Sequence, residues 1–180
     1  MYRFDPGTLK EALAGFPAEA RVAFALACAE RLAQLSQSAS DPEARELATN
    51  ARNFAQQFVA GGAVHPDDVS VLAVQLESCP HLDSDDIAAS AYVLDCLRAN
   101  DPQAAVWAAQ RAYDARDLAA QQSMQFTAYT PGVELALLSD SGVQAELASQ
   151  ASDLNLLRSN PLAASHVATR ARAIGGEPHV

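Results

Sequence analysis

The sequence predicts an all-α protein, a single-domain bundle of about seven helices around a buried central helix at residues 17–35. The stretch from Val22 to Ala29 runs eight residues without a polar side chain, which is typical of a helix buried on all sides. Alanine supplies 39 of the 180 residues and aromatics only 6%, a composition that favours closely packed helices over strands. The nine prolines and eight glycines all fall at or near predicted helix boundaries.

The first predicted helix is short, because Asp5 can cap it ahead of Pro6 and Gly15 can end it. We expect it to pack across the central helix. The central helix begins at Pro17 and is expected to fray in the Ser/Gln-rich segment 36–40.

Capping signals also divide the middle of the chain. Asp41-Pro42 opens a third helix that Gly61-Gly62 ends. Two short helical segments follow, Val69 to Leu76 and Ile87 to Leu97, separated by Pro80.

The longest helical pattern starts at Asp101-Pro102 and runs from Gln103 to about Phe126. Small side chains recur along one side of it, so another helix or a second copy of the chain can approach closely. This alanine seam consists of Ala105, Ala108, Ala112, Ala115 and Ala119.

Shorter helices are predicted at the C-terminal end of the chain. Thr130-Pro131 restarts the helical pattern as far as Leu138, and Ser139-Asp140-Ser141 offers a cap for the helix after it. The last helix follows Asn160-Pro161. We expect residues 1–180 to form one helical domain with a flexible tail at 177–180.

Charge and cysteine content restrict the partners and the compartment. The chain carries 12 basic and 22 acidic residues, a net charge of −10, which argues against nucleic acid and anionic membranes and favours a cationic protein partner. Cys28, Cys79 and Cys96 are odd in number and include no CxxC pair, which indicates a reducing compartment, the cytoplasm. No segment reaches the ~18 apolar residues that a membrane span needs.

Acidic residues are concentrated between Gly61 and Asn100, where seven acids stand against Arg98 alone. One interpretation is helix capping, because acids in a first turn meet free amides and the positive end of the helix dipole. The other is an acidic face for a basic partner, and the two are compatible. The predicted partner-binding residues are Asp67, Asp68, Asp83, Asp85, Asp86 and Asp95.

The sequence shows no motif for catalysis or for a cofactor. It lacks the GxSxG elbow, the phosphate loop and the GxGxxG turn, so we predict no catalytic residue and no cofactor. His65 and His81 with neighbouring carboxylates are candidate metal ligands, but no HExxH or HxxxH pair supports a metal site. Cys79 is the only thiol close in sequence to an imidazole, that of His81.

Glu30 and Arg31 come directly after the apolar run. We expect them to mark the point where the central helix emerges into solvent. The alternative is a semi-buried ion pair with partners on other helices.

Several segments resemble the bacterial YjaG-like family, a domain of unknown function. The similarity extends over residues 16–158, and it implies a single all-helical cytoplasmic domain without an assigned activity. Ser90 stands where the resemblance would place an acidic residue. The segments that carry it are Arg21-Val22-Ala23-Phe24, Cys28-Ala29-Glu30-Arg31-Leu32, AASAYVLDCLRANDPQAAVWAAQRAYDARDLAAQ, and Val143-Gln144-Ala145-Glu146-Leu147 with Asp153-Leu154.

Three functions remain open on this evidence. A small, acidic, helical chain without catalytic motifs suits a non-enzymatic interaction protein, most concretely an immunity- or antitoxin-type inhibitor of a basic protein. The first alternative is an enzyme, or a metal- or ligand-binding protein, with a site between helices. The second is a structural homodimer that uses the alanine seam.

Overall fold

The computed structural model describes residues 1–35, 41–124, 126 and 128–174, and every regular element in that part of the chain is helical. The segment 36–40, where we expected the central helix to fray, and the tail 177–180, which we expected to be flexible, lie outside the described residues. The elements are α1 (Pro6–Ala14), α2 (Ala18–Leu35), α3 (Pro42–Val59), α4 (Pro66–Glu77), α5 (Asp85–Ala99), α6 (Pro102–Ser123), α7 (Pro131–Leu138), α8 (Ser141–Ser159), a 3₁₀ turn (Pro161–Ala163) and α9 (Ala164–Ile174).

The all-helical fold is confirmed, but the described residues form nine α-helices where about seven were expected. The short segments at α4 and α7 are complete helices because each has proline at its first position and a capping side chain before it. His65 Nδ1 accepts from the Asp67 N–H at 3.3 Å, and Thr130 Oγ1 accepts from the Val133 N–H at 3.3 Å. These contacts satisfy amides that a helix start leaves unpaired.

Most of the predicted helix starts are capped as the sequence indicated. The aspartate ahead of the helix accepts first-turn amides at α1, α3, α6 and α8; these residues are Asp5, Asp41, Asp101 and Asp140. The start of α5 is different, because Ser84 makes no side-chain capping bond.

The central helix α2 is buried as predicted: every residue from Ala20 to Leu32 is buried. It packs against α3, α5, α6, α8 and α9, so no side of its middle turns faces water. The first helix differs from expectation. It packs mainly on α6, and Leu13 still reaches the main core.

Helix α6 uses the inner part of the alanine seam within the bundle. Ala105 and Ala108 are fully buried and Ala112 is 2% exposed, because α6 packs closely against α2 and α5. Only the outer end, at Ala119, is exposed. The buried part of the seam therefore leaves no surface for a second copy.

Helix α4 lies at the edge of the bundle. It packs on α3 and α5 and closes a small apolar cluster with them through Val69, Leu72 and Leu76. Its outer side carries Val71 and Val74, which are 59% and 57% exposed. Among the described helices, none has the length and apolar character that crossing a membrane requires.

Candidate functional site

The six predicted partner-binding acids divide among three environments, and three of them are exposed. Asp67 and Asp68 lie in the first turn of α4, and Asp83 lies in the turn before α5. Asp67 is 3.7 Å from Nδ1 of His65, and both side chains are largely in water. These three carboxylates face solvent at one edge of the bundle.

Asp85 and Asp95 are partly buried, and each is paired with an arginine. Asp85 Oδ1 accepts from Arg111 Nη1 at 3.1 Å, and Asp95 Oδ1 accepts from Arg98 Nη2 at 2.8 Å. Burial raises the pKa of Asp95 above its ordinary value, although Arg98 acts in the opposite direction. Their charges are therefore largely balanced within the chain.

Asp86 is only 5% exposed. It lies in the first turn of α5, and its charge acts on the guanidinium of Arg52 in α3. Asp86 thus belongs to the interior, and no partner can reach it without opening the α3–α5 contact.

The charged residues that follow the apolar run of α2 are buried and paired with other helices. Arg31 Nε donates to Glu146 Oε2 at 2.9 Å, and Arg31 Nη1 donates to Asp153 Oδ2 at 2.8 Å. Both acids lie on α8, and the three side chains are 8%, 2% and 1% exposed. Arg170 reaches Asp153 from α9, and the Gln150 amide donates to Glu146.

Glu30 forms a second ionic group on the neighbouring side of α2. Its Oε1 accepts from Arg172 Nη2 at 2.7 Å, and its Oε2 lies 3.7 Å from Nε of Arg52. Arg52 Nη1 also donates to the Ser90 hydroxyl at 2.9 Å. We call both groups together the buried ionic layer: Glu30, Arg31, Arg52, Glu146 and Asp153, with Arg170 and Arg172 at its rim.

The expectation that Glu30 and Arg31 mark the emergence of α2 into solvent is therefore wrong, and the alternative of ion pairs with other helices is right. Burial lowers the pKa of Arg52, while Glu30 and Asp86 oppose that effect. The signal available in the sequence was Leu32, an apolar residue directly after the charged pair. In the structure Leu32 is 1% exposed, so the buried stretch continues past Glu30 and Arg31.

Two adjacent surface cavities lie between α3 and α4, and Gln75 lines both of them. We call the two cavities together the α3–α4 groove and each cavity one half of it. The first half has a volume of about 380 Å³ and is lined by Asp41, Glu43, Leu47, Cys79 and His81, among others. The second half has a volume of about 540 Å³, and Asn50, Phe54, Asp68 and Val71 contribute to its lining. These linings show that the two helices are antiparallel.

Exposed acids lie at the start of α3, on α4 and in the turn after α4, and three of them, Asp41, Glu43 and Asp68, line the groove. From Asp41 to Asp83 the chain has seven acids against Arg45 and Arg52, and Arg52 is buried. We call the exposed acids at the first turn of α3, on α4 and in the turn after it the acidic edge: Asp41, Glu43, Asp67, Asp68, Glu77 and Asp83. Glu77 lies 3.4 Å from Arg98. In contrast, the carboxylates of Glu43, Asp68 and Asp83 have no basic partner among the described residues.

The two candidate metal ligands, His65 and His81, lie in different places. His65 caps α4 and His81 lines the groove, and the described residues contain no cluster of three or more His, Cys, Asp or Glu suited to a metal ion. Burial raises the pKa of Cys28 and brings that of Cys96 to about 12. Cys79 is half-buried in the groove, so it is the most accessible of the three thiols.

Comparison with known proteins adds a structural likeness. No family model and no curated protein matches the sequence. A crystal structure of a DUF416 family protein from Shewanella baltica is similar over 92% of this chain and 91% of its own, with a TM-score of 0.70 and 13% sequence identity. At that identity the likeness shows the fold, that of a helical protein from a family of unknown function.

Proposed function

We propose that this protein is a non-enzymatic interaction protein whose acidic edge binds a cationic protein, most concretely as an immunity- or antitoxin-type inhibitor of a basic toxin. The observation that carries the proposal is the set of unpaired, exposed carboxylates beside the α3–α4 groove. Glu43, Asp68 and Asp83 have no counter-charge among the described residues, so a basic partner can supply one.

Electrostatics supports a protein as the partner. A net charge of −10 repels nucleic acid and anionic lipid, and it accelerates encounter with a positively charged surface. The groove beside the acids adds apolar contact through Leu47, Phe54 and Val71. Three free cysteines support a cytoplasmic location, because reducing compartments keep thiols unpaired.

The similar fold of the DUF416 protein supports membership of the YjaG-like family as a second part of the proposal. Ser90 is the residue where that resemblance leads us to expect an acid. In the structure its hydroxyl contacts Arg52, and Glu30 and Asp86 supply negative charge to the same guanidinium. Negative charge therefore surrounds Arg52 without an acid at position 90, although its buried Nε has no hydrogen-bond partner among the described residues.

A small-ligand site is the second candidate function, favoured by the groove itself. Its two halves fall within the range of about 300–1,000 Å³ that ligand pockets occupy, and Cys79 and His81 both line the first half. Native mass spectrometry of the purified protein tests this candidate, since a retained small molecule adds a discrete mass.

A capture experiment with matched charge variants tests the main proposal. The edge variant carries Glu43→Gln, Asp68→Asn and Asp83→Asn. The control variant carries Glu11→Gln, Glu19→Gln and Glu134→Gln, three exposed acids outside the edge, so both lose the same charge. Each immobilised protein is incubated with native-host lysate at about 50 mM salt, where screening is weak.

We expect wild type and control to retain the same basic protein, which higher salt releases, and the edge variant to lose it. Equal retention by all three proteins would place the interaction elsewhere. Equal loss by both variants would show a response to net charge alone and would reject the acidic edge as the site.

A further inference from the structure

We propose that the α3–α4 groove holds an extended segment of the partner, about six residues long, with basic side chains at its two ends and an apolar side chain at its centre. This inference rests on the proposed function, and it specifies which part of the cationic partner the acidic edge recognises.

The dimensions of the groove set the length of the segment. On α3 its lining extends from Asp41 and Glu43 to Gln57, a distance of about 21 Å at 1.5 Å per residue. A fully extended chain advances about 3.3 Å per residue, so about six residues span the groove.

Two side-chain amides of the lining without a hydrogen-bond partner favour a partner segment that is extended over one that is helical. The side chains of Asn50 and Gln75 make no hydrogen bond to the described residues, and each carries both donors and acceptors. An extended peptide presents N–H and C=O groups that need such partners, whereas a helix pairs its own. Gln75 lies where the two halves of the groove meet, within reach of the middle of the segment.

The order of the lining residues sets the pattern of side chains. Asp41 and Glu43 lie at one end, and Asp68 lies in the other half. Leu47, Phe54 and Val71 lie between these acids, and Val71 is 59% exposed. Carboxylates at both ends select Lys or Arg there, while the apolar middle selects an apolar residue.

An array of seven-residue peptides tests the proposal. Each peptide has arginine or lysine at both ends and an apolar residue at the centre, and the tightest binder is resynthesised with alternate backbone nitrogens methylated. Binding is measured by calorimetry and by the rate at which Cys79 is alkylated. The protein is used as wild type, as the double variant Asn50→Ala with Gln75→Ala, and as the control Gln122→Ala, an exposed amide on α6.

We expect the parent peptide to slow alkylation of Cys79, and we expect methylation to weaken binding at least tenfold. The double variant is expected to weaken binding at least fivefold while the salt dependence stays unchanged, and the control to bind as wild type. Alanine favours helix, so the double variant retains its fold.

Absence of any binder in the array, unchanged affinity after methylation, or an unprotected Cys79 would each overturn the extended-segment model. The experiments distinguish rejection of the extended segment from rejection of the acidic edge as the binding site. If the captured lysate protein still depends on Glu43, Asp68 and Asp83 while the peptides fail, the acidic edge stands and only the extended segment is rejected.

Discussion

The buried ionic layer and the acidic edge differ in whether their charges are balanced. In the layer, Arg31 meets Glu146 and Asp153 at 2.9 and 2.8 Å with nearly complete burial. At the edge, Asp68 and Asp83 are exposed and have no counter-charge among the described residues. The charges of the layer therefore serve the fold, because burying them unpaired is costly, whereas the charges of the edge are available to a partner.

The same comparison shows why counting charges along a sequence misleads. Asp85 and Asp86 are neighbours, yet Asp85 pairs with Arg111 at a partly exposed position and Asp86 is 5% exposed beside Arg52. Successive helical residues point about 100° apart, so the position of α3 decides which of them is buried.

The largest expected effect comes from removing the central cation of the buried layer. Arg31→Met leaves Glu146 and Asp153 buried with less compensation, and we expect the free energy of unfolding to fall by about 3–5 kcal/mol. Urea denaturation followed by circular dichroism measures the change. Arg158→Met is the control, because Arg158 is exposed and, among the described residues, its side chain bonds only that of Asn155.

A second variant sharpens this prediction. Replacing Arg31, Glu146 and Asp153 together by Met, Met and Leu removes both signs of charge, and we expect it to recover most of the lost stability. A cost below about 1 kcal/mol for Arg31→Met would contradict a structural role for the layer.

A smaller effect is expected at the second ionic group. Ser90→Ala removes the hydroxyl that accepts from Arg52 Nη1 at 2.9 Å and is itself fully buried. We expect a loss of about 1 kcal/mol in thermal or urea unfolding. Ser149→Ala is the comparison. Within the described part of the chain the Ser149 hydroxyl bonds only the Ala145 carbonyl of its own helix, so its loss should be nearly neutral.

Asp114 on α6 belongs neither to the buried ionic layer nor to the acidic edge. We expect its replacement to change stability less than either substitution above. Burial raises its pKa above the ordinary 3.8, and Asp85 and Asp117 act in the same direction. The folded state therefore holds this proton more tightly than the unfolded state, and the carboxyl reduces stability as pH rises from 3.8 through the raised pKa. Asp114→Asn should be more stable than wild type at pH 7 by about 0.3 kcal/mol, because exposure weakens the effect.

The pH dependence distinguishes this cause from others. We expect the advantage of Asp114→Asn to disappear in unfolding measurements below the ordinary pKa of 3.8, where both states are protonated. An advantage that persists at low pH would assign the effect to helix propensity or to the Gln110 hydrogen bond.

Local sequence signals predicted much of the fold, and tertiary placement decided the rest. Asp41-Pro42 and Asp101-Pro102 predicted helix starts because capping acts within one turn. The apolar run of α2 predicted its burial. Arg31, in contrast, finds Glu146 more than 100 residues away, and local periodicity contains no information about that distance.

The candidate site shows the same division. The density of acids predicted an acidic region, and Asp67, Asp68 and Asp83 are exposed in it. The groove could not be predicted, because Asn50 and Gln75 come together only when α3 and α4 pack side by side. Asp41 was assigned to a helix start alone, and only that packing places Asp41 and Glu43 beside α4.

The most direct test of the contrast between layer and edge measures stability and binding on the same proteins. Wild type, the edge variant and its charge-matched control are unfolded in urea and titrated calorimetrically with the protein captured from lysate at several salt concentrations. We expect the three stabilities to agree within about 0.5 kcal/mol, while only the edge variant loses affinity and salt dependence. An edge variant that binds as tightly as its control, or that loses binding because it has unfolded, would contradict the account.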